Sequence, residues 1–242
     1  MSCAEATTAP NLGSALIAEG IGTALLLATV VGSGIMAERL AAGNDAVALL
    51  ANAIATGAAL VALIVAFGPI SGAHFNPLVT AVLTFRRGHD ARRLMPYVVV
   101  QCFGAVGGVA LANVMFGGDA FEPSTHIRSG FAQLLSEAVA TFGLILVVVL
   151  SNRHRPDFAP LTVAAYVVAA YWFTASTAFA NPAVAIARCL TNTFAGIRPS
   201  DVPGFVVAEM CGAAIACALL SGLMPRGTAQ VAASRVVEEV AK

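Results

Sequence analysis

The fold of this chain is decided by two stretches of its sequence, Ser71-Gly72-Ala73-His74-Phe75-Asn76-Pro77-Leu78 and Phe179-Ala180-Asn181-Pro182-Ala183-Val184. Each stretch contains an Asn-Pro pair and continues with mostly apolar residues. Asparagine is a favoured helix cap and proline is favoured at the first helical position, so each pair predicts the start of a helix of about ten residues. Such a helix from Asn76 to Arg86 is about 16 Å long, which is half the thickness of a bilayer.

The composition predicts a membrane protein. Apolar residues make up 58% of the chain and charged residues 11%, whereas soluble domains have about 45–50% and about 25%. So few charges could not solvate the surface of a soluble domain, and the apolar content excludes a disordered chain. The formal net charge of zero gives no electrostatic basis for binding nucleic acid.

Six stretches are long and apolar enough to cross the hydrocarbon core as helices, and they lack the alternation of barrel strands. They are residues 14–36, 46–67, 94–116, 131–150, 159–179 and 202–224. With the N-terminus in the cytoplasm, nine lysines and arginines lie on the cytoplasmic side and four on the other side. The positive-inside rule therefore predicts that both termini are cytoplasmic.

The two halves of the chain match each other in inverted orientation. Glu19-x-x-x-Thr23 lies in the first span and Glu137-x-x-x-Thr141 in the fourth, and an Asn-Pro pair follows each motif two spans later. Because three spans are an odd number, the second half is inserted upside down. The sequence predicts one domain, residues 1–242, with repeats over about 12–116 and 131–225, whose half-helices meet at the midplane. The alternative, two amphipathic surface turns, fits poorly with such apolar segments.

The carboxyl groups of the matching spans have two interpretations. Carboxyls are costly inside a membrane and usually face the protein interior, so Glu19 and Glu137 are either transport groups or structural anchors. The loops before the half-helices need hydrogen-bond partners at membrane depth, and the matched placement of the two glutamates favours anchors. We group His74, in the first loop, with them.

The motifs SGAHFNP (71–77) and ANPA (180–183), within these inverted repeats, resemble the aquaporin and aquaglyceroporin family. The resemblance implies an all-α protein of six tilted spans and two half-helices, with one pore in each subunit of a homotetramer in the lipid bilayer. It implies no catalytic residue, metal or cofactor. The implied pore boxes are Asn76, Pro77 and Leu78, and Asn181, Pro182 and Ala183. The positive ends of the half-helices, about half a charge each, are expected to oppose cations between the boxes.

The sequence departs from the family pattern at two places. Leu78 stands where the family has alanine, and it either narrows the midplane or repacks behind it. The resemblance places the selectivity constriction at Thr56, Ala169, Ala178 and Val184, and Val184 replaces the arginine of typical members. Such a constriction is wide and mostly apolar, with Thr56 as its one side-chain hydroxyl.

Two neighbouring side chains leave alternatives open. Arg188 lies one turn beyond Val184 on the same helix face. It either guards the outer mouth or extends to the membrane interface, and the second interpretation is favoured. Phe179 enters the constriction if the loop before the second box is shifted by one residue.

A wide constriction predicts passage of small neutral solutes, such as glycerol and urea, together with water. Members that lack the arginine resemble a bacterial branch associated with arsenic resistance, which adds neutral arsenous acid as a candidate solute and the bacterial inner membrane as the location. The alternatives are an ordinary glycerol, urea and water facilitator and, from another class, a secondary transporter built from inverted repeats. An enzyme is disfavoured because the histidines and cysteines lack the spacing of a metal or nucleophile site.

Overall fold

The computed structural model describes residues 11–87 and 91–224, and the predicted cytoplasmic tails lie outside them. The described residues form an all-α bundle, as predicted. The eight α-helices of this part of the chain are α1 (Leu12–Leu40), α2 (Asp45–Ser71), α3 (Pro77–Arg87), α4 (Leu94–Met115), α5 (Phe131–His154), α6 (Ala159–Phe173), α7 (Pro182–Arg188) and α8 (Val202–Leu223).

Five of these helices, α1, α2, α4, α5 and α8, are long and apolar enough to span a bilayer. The mean hydropathy of their most apolar windows lies between 1.9 and 2.3. Five of the six predicted spans coincide with these helices to within a few residues. The hydrophobic length of a span is a local property of the sequence, which is why these helices could be predicted.

The sixth predicted span, residues 159–179, is wrong at its end because α6 ends at Phe173. Thr174 has an extended backbone with φ −113° and ψ 141°, and the Ala175 N–H donates to Ser136 Oγ on α5 over 3.0 Å. Residues 174–181 therefore form a loop instead of continuing the helix. Three residues in this loop have positive φ: Thr177, Ala178 and Ala180.

The half-helices α3 and α7 begin at the prolines of the two Asn-Pro pairs, but α7 has 7 residues and is shorter than expected. They point to opposite faces of the bundle. Arg86 on α3 donates to the Leu220 carbonyl at the C-terminal end of α8 over 3.2 Å. Arg188 on α7 donates to the Ala195 carbonyl, which precedes α8 in the chain. Helix α8 has 22 residues and is about 33 Å long, so the two contacts lie near opposite ends of it.

Close helix crossings occur at matching places in the two repeats. Helix α1 packs on α4, and α5 packs on α8. A Cβ added to Gly104 would lie 2.3 Å from the Gly20 carbonyl oxygen, and one added to Gly212 would lie 2.1 Å from that of Ala138. Both distances are far inside van der Waals contact, so a side chain at either position would force the helices apart. The crossing of α1 with α4 thus corresponds to that of α5 with α8.

Candidate functional site

The two Asn-Pro boxes meet in the middle of the bundle and are joined by reciprocal hydrogen bonds. Asn76 Nδ2 donates to the Ala180 carbonyl, and Asn181 Nδ2 donates to the Phe75 carbonyl, each over 2.8 Å. The side-chain oxygens cap their own half-helices, Asn76 at the Leu78 N–H over 2.9 Å and Asn181 at the Ala183 N–H over 3.1 Å. Each amide nitrogen carries two hydrogens, so each asparagine retains one donor beyond the bond between the boxes.

Glu19 holds the loop before the first box. Its side chain is 0% exposed. It accepts hydrogen bonds from the His74 N–H at 2.9 Å, the Phe75 N–H at 2.8 Å, Ser71 Oγ at 2.7 Å and Gln101 Nε2 at 2.8 Å. This carboxylate therefore satisfies two backbone donors that would otherwise be orphaned at membrane depth.

His74 adds a second contact to the first loop. Its Nδ1 lies 3.2 Å from Thr80 Oγ1 on α3, and its ring centroid lies 5.6 Å from that of Tyr97 on α4. The side chain thus contacts both the half-helix that follows the loop and the neighbouring spanning helix.

Two carboxyls hold the loop before the second box. Glu137 on α5 accepts the Phe179 and Ala180 N–H groups over 2.9 and 2.8 Å. Glu209 on α8 accepts the Asn181 N–H over 3.0 Å. Glu209 lies within the sixth predicted span, residues 202–224, and nothing in the sequence pairs it with the box. That pairing depends on the crossing of α5 and α8, which no local motif reveals.

A cavity of about 130 Å³ passes both boxes. Its lining extends from Arg188, at the end of α7, past Asn181 and Asn76 to Asn152, near the end of α5. Most of the remaining lining side chains are apolar. Leu78 does not line the cavity and packs against an apolar cluster that includes Val79 and Leu144. Of the two interpretations of Leu78, the structure therefore supports repacking.

Three of the four predicted constriction residues, Thr56, Ala178 and Val184, line the cavity, but Ala169 does not. Ala169 is exposed on the far side of α6, so its assignment to the constriction is wrong. The cavity face of α6 carries residues at helical spacing, Val163, Val167, Ala170 and Tyr171. A position counted from the second box falls on the wrong face because the loop after α6 sets the rotation of that helix relative to the box.

The part of the cavity lined by Thr56 is also more polar than predicted. Tyr171 lines the cavity, and its hydroxyl lies 3.2 Å from Thr56 Oγ1. Thr56 is therefore not the one side-chain hydroxyl there. The sequence count missed Tyr171 because it placed Ala169 on this face of α6.

Arg188 lies inside the protein and not at the membrane interface, so the favoured interpretation of this residue is wrong. It is 2% exposed. Its Cζ atom lies 3.4 Å from the ring centroid of Phe179, and its Nε donates to the Ala195 carbonyl. Phe179 lines the cavity as well, and the Cζ of Arg128 lies 5.2 Å from the centroid of the same ring. Stacking on Phe179 holds the guanidinium beside the cavity.

These features define a class of protein: an all-α membrane channel with inverted repeats, in which two capped half-helices meet beside a cavity. The sequence matches the family described as Major intrinsic protein over residues 5–175 and 157–242. The chain belongs to this family of membrane channels for small solutes.

Individual relatives agree with this assignment. The chain is 53% identical over 208 residues to aquaglyceroporin AqpS from Rhizobium meliloti (strain 1021), covering 86% of this chain and 89% of that protein. It is 34% identical over 183 residues to aquaporin PIP2-5 from Zea mays, covering 66% of this chain and 64% of that protein. The X-ray structure of the aquaglyceroporin from Plasmodium falciparum has the same fold, with a TM-score of 0.67 and 17% identity over 89% of this chain and 98% of that one.

Proposed function

We propose that the protein is a passive channel for small uncharged solutes, conducting glycerol-like polyols, neutral metalloid hydroxides such as arsenous acid, and water. The observation that carries this proposal is the cavity that passes both boxes with a mostly apolar lining and few polar groups. A neutral solute with several hydroxyls can exchange water for these groups, whereas an ion cannot recover its hydration along an apolar wall.

The selectivity region we propose lies at the α7 end of the cavity. The Thr56 and Tyr171 hydroxyls, Ala178, Val184 and the Phe179–Arg188 stack line it. In the described part of the chain, the two terminal nitrogens of Arg188 have no hydrogen-bond partner, so they can donate to a passing hydroxyl. The guanidinium charge also opposes cations. Arg188 thereby performs the role that the family pattern assigns to the position of Val184.

The proposed solutes follow from the chemistry of the solutes and the cavity lining and from the similarity to a named relative. The similarity to a protein named an aquaglyceroporin favours polyols over water alone. Arsenous acid is neutral near pH 7 and presents three hydroxyls, as glycerol does. None of the described residues that line the cavity is a cysteine, so the lining offers no thiolate to trap a trivalent arsenical.

The setting we propose is a homotetramer in a bacterial inner membrane with both termini in the cytoplasm. Large apolar side chains cover the outside of the bundle; Phe131, for example, is 79% exposed and Phe103 is 76% exposed. Lipid or a neighbouring subunit would cover such a surface. The orientation rests on the distribution of lysine and arginine along the sequence.

A stopped-flow panel on proteoliposomes tests the proposed function, with water, glycerol, urea and arsenous acid as solutes. We expect non-saturating flux with a low activation energy for glycerol and arsenous acid. Flux of glycerol, urea and water without arsenous acid would support the ordinary facilitator. Saturable transport coupled to an ion gradient would overturn the channel and support a secondary transporter.

The variant Val184→Arg should lower glycerol and arsenous acid flux more than water flux. The added guanidinium fills cavity space one turn before Arg188. We expect a loss of about tenfold for glycerol, equivalent to about 1.4 kcal/mol in the barrier. Val184→Leu is the matched control, since it adds volume without charge. If Val184→Arg leaves every solute unchanged, Val184 does not line the constriction.

A further inference from the structure

The second repeat holds two fully buried carboxyls close together. Glu137 and Glu209 are both 0% exposed, and they accept three consecutive backbone N–H groups, those of Phe179, Ala180 and Asn181. Glu209 Oε2 receives no N–H or O–H from any described residue. Glu137 and Glu209 accept the N–H groups of two consecutive residues, Ala180 and Asn181, so the two carboxyls are neighbours. A buried carboxylate oxygen with no donor is costly.

The first repeat has a hydrogen-bond donor at the position that corresponds to Glu209. The matching glycines, Gly104 and Gly212, set the correspondence of α4 with α8. Three residues before each glycine stand Gln101 and Glu209. Gln101 Nε2 donates to the carboxylate of Glu19 over 2.8 Å, so the first repeat places a donor where the second places a carboxyl. A carboxylic acid with its proton on Oε2 would reproduce that bond.

Among the charged residues around Glu209, Glu137 is the one that lies beside its carboxyl group. The elements packed against α8 carry Glu137, Arg153 and His154 on α5, Arg188 on α7, Arg86 on α3 and Asp201 before α8. Arg86 donates to the end of α8 and Asp201 pairs with Arg198 over 2.8 Å, while Arg153 and His154 lie at the far end of α5. Arg188 and Arg128 both lie over the Phe179 ring, and Arg128 donates its side-chain N–H groups to backbone carbonyls. Two adjacent buried carboxyls without a bonded cation favour sharing one proton.

We propose that Glu209 is a neutral acid whose Oε2–H donates to the Glu137 carboxylate, so that the pair shares one proton and Glu209 positions the pore residue Asn181. Glu137 is the acceptor of this bond, and it also accepts two backbone N–H groups, those of Phe179 and Ala180. The Oε2–H of Glu209 then makes in the second repeat the bond that Nε2 of Gln101 makes to Glu19 in the first. Its effect on flux rests on the proposed channel function, whereas its protonation does not.

Infrared difference spectroscopy at neutral pH tests the shared proton. We expect the wild-type protein to show the carbonyl band of a protonated, buried carboxyl, sensitive to exchange into D2O, and Glu209→Gln to lack it. Glu38→Gln, on the exposed last turn of α1, is the control and should keep the band. A wild-type spectrum without a band that Glu209→Gln removes would overturn the proposal.

Two variants test positioning. Glu209→Leu removes both the acceptor for the Asn181 N–H and the donor to Glu137, and we expect a lower unfolding temperature and at least tenfold slower glycerol flux. Glu209→Gln can make both bonds, so its unfolding temperature and glycerol flux should be close to those of the wild type. If Glu209→Gln loses as much stability and glycerol flux as Glu209→Leu, the neutral-acid assignment is wrong. If the infrared band is present but the wild type conducts no glycerol, the shared proton stands and the proposed channel function fails.

Discussion

Replacing Arg188 with methionine is expected to make the channel leak cations while glycerol still passes. The variant keeps an unbranched side chain against Phe179 but removes the charge beside the cavity. A cation about 4 Å from a guanidinium is repelled by about 4 kcal/mol at an effective dielectric constant of about 20. This is equivalent to about a thousandfold in rate, and because the half-helix ends at the boxes still oppose cations, we expect an increase between about tenfold and a thousandfold.

Potassium and proton flux into proteoliposomes measures this effect, with glycerol flux as the internal reference. Arg39→Met is the matched control because Arg39 also stacks on a phenylalanine, with its Cζ 5.2 Å from the ring centroid of Phe116, yet does not line the cavity. Arg188→Lys, which keeps the charge but not the planar stack, should leak far less than Arg188→Met. Equal cation flux in Arg188→Met and Arg39→Met would show that Arg188 is not part of the selectivity region.

Replacing Glu19 with leucine is expected to destabilise the protein more than any change to the lining. The substitution leaves the His74 and Phe75 N–H groups, Ser71 Oγ and Gln101 Nε2 without this acceptor. Each orphaned buried donor costs about 1–3 kcal/mol, so the loss in free energy of unfolding is expected to be at least about 4 kcal/mol. That is a large part of the about 5–15 kcal/mol that stabilises typical proteins.

Thermal unfolding in detergent and glycerol flux in proteoliposomes measure the loss. Glu19→Gln retains one acceptor oxygen and is expected to fall between the wild type and Glu19→Leu. Glu38→Leu, a change of the same kind at an exposed position of α1, should be near neutral. If Glu19→Leu unfolds at the wild-type temperature but no longer conducts, Glu19 is a transport group, which is the interpretation that the sequence disfavoured.

Much of the fold could be predicted because it depends on short-range properties of the chain. Apolar length predicted the five long helices, and the Asn-Pro pairs predicted where α3 and α7 begin. The end of α6 could not be predicted in this way. The residues between Phe173 and Asn181 contain no proline, glycine or charge to end a helix. They leave the helix where the Ala175, Phe179 and Ala180 N–H groups find acceptors on α5.

Some of the predicted site residues could likewise be located from the sequence, and others could not. Counting from the boxes selected Thr56, Ala178 and Val184, which line the cavity, and Ala169, which does not. Ala169 was misplaced because the loop after α6 changes the rotation of that helix. Arg188 was misassigned because a lone arginine near a helix end usually extends toward water, and only the position of Phe179 shows that this one stacks inside the protein.

The sequence by itself determined that this chain spans a membrane, that its two halves are inverted repeats and that two half-helices start at Asn76 and Asn181. These follow from composition, periodicity and capping, which act over a few residues. The tertiary structure alone decided which side chains face the cavity and which groups are paired. The cation beside Phe179 and the carboxyl pair of Glu137 and Glu209 join helices distant in sequence, and their geometry exists only once those helices are packed.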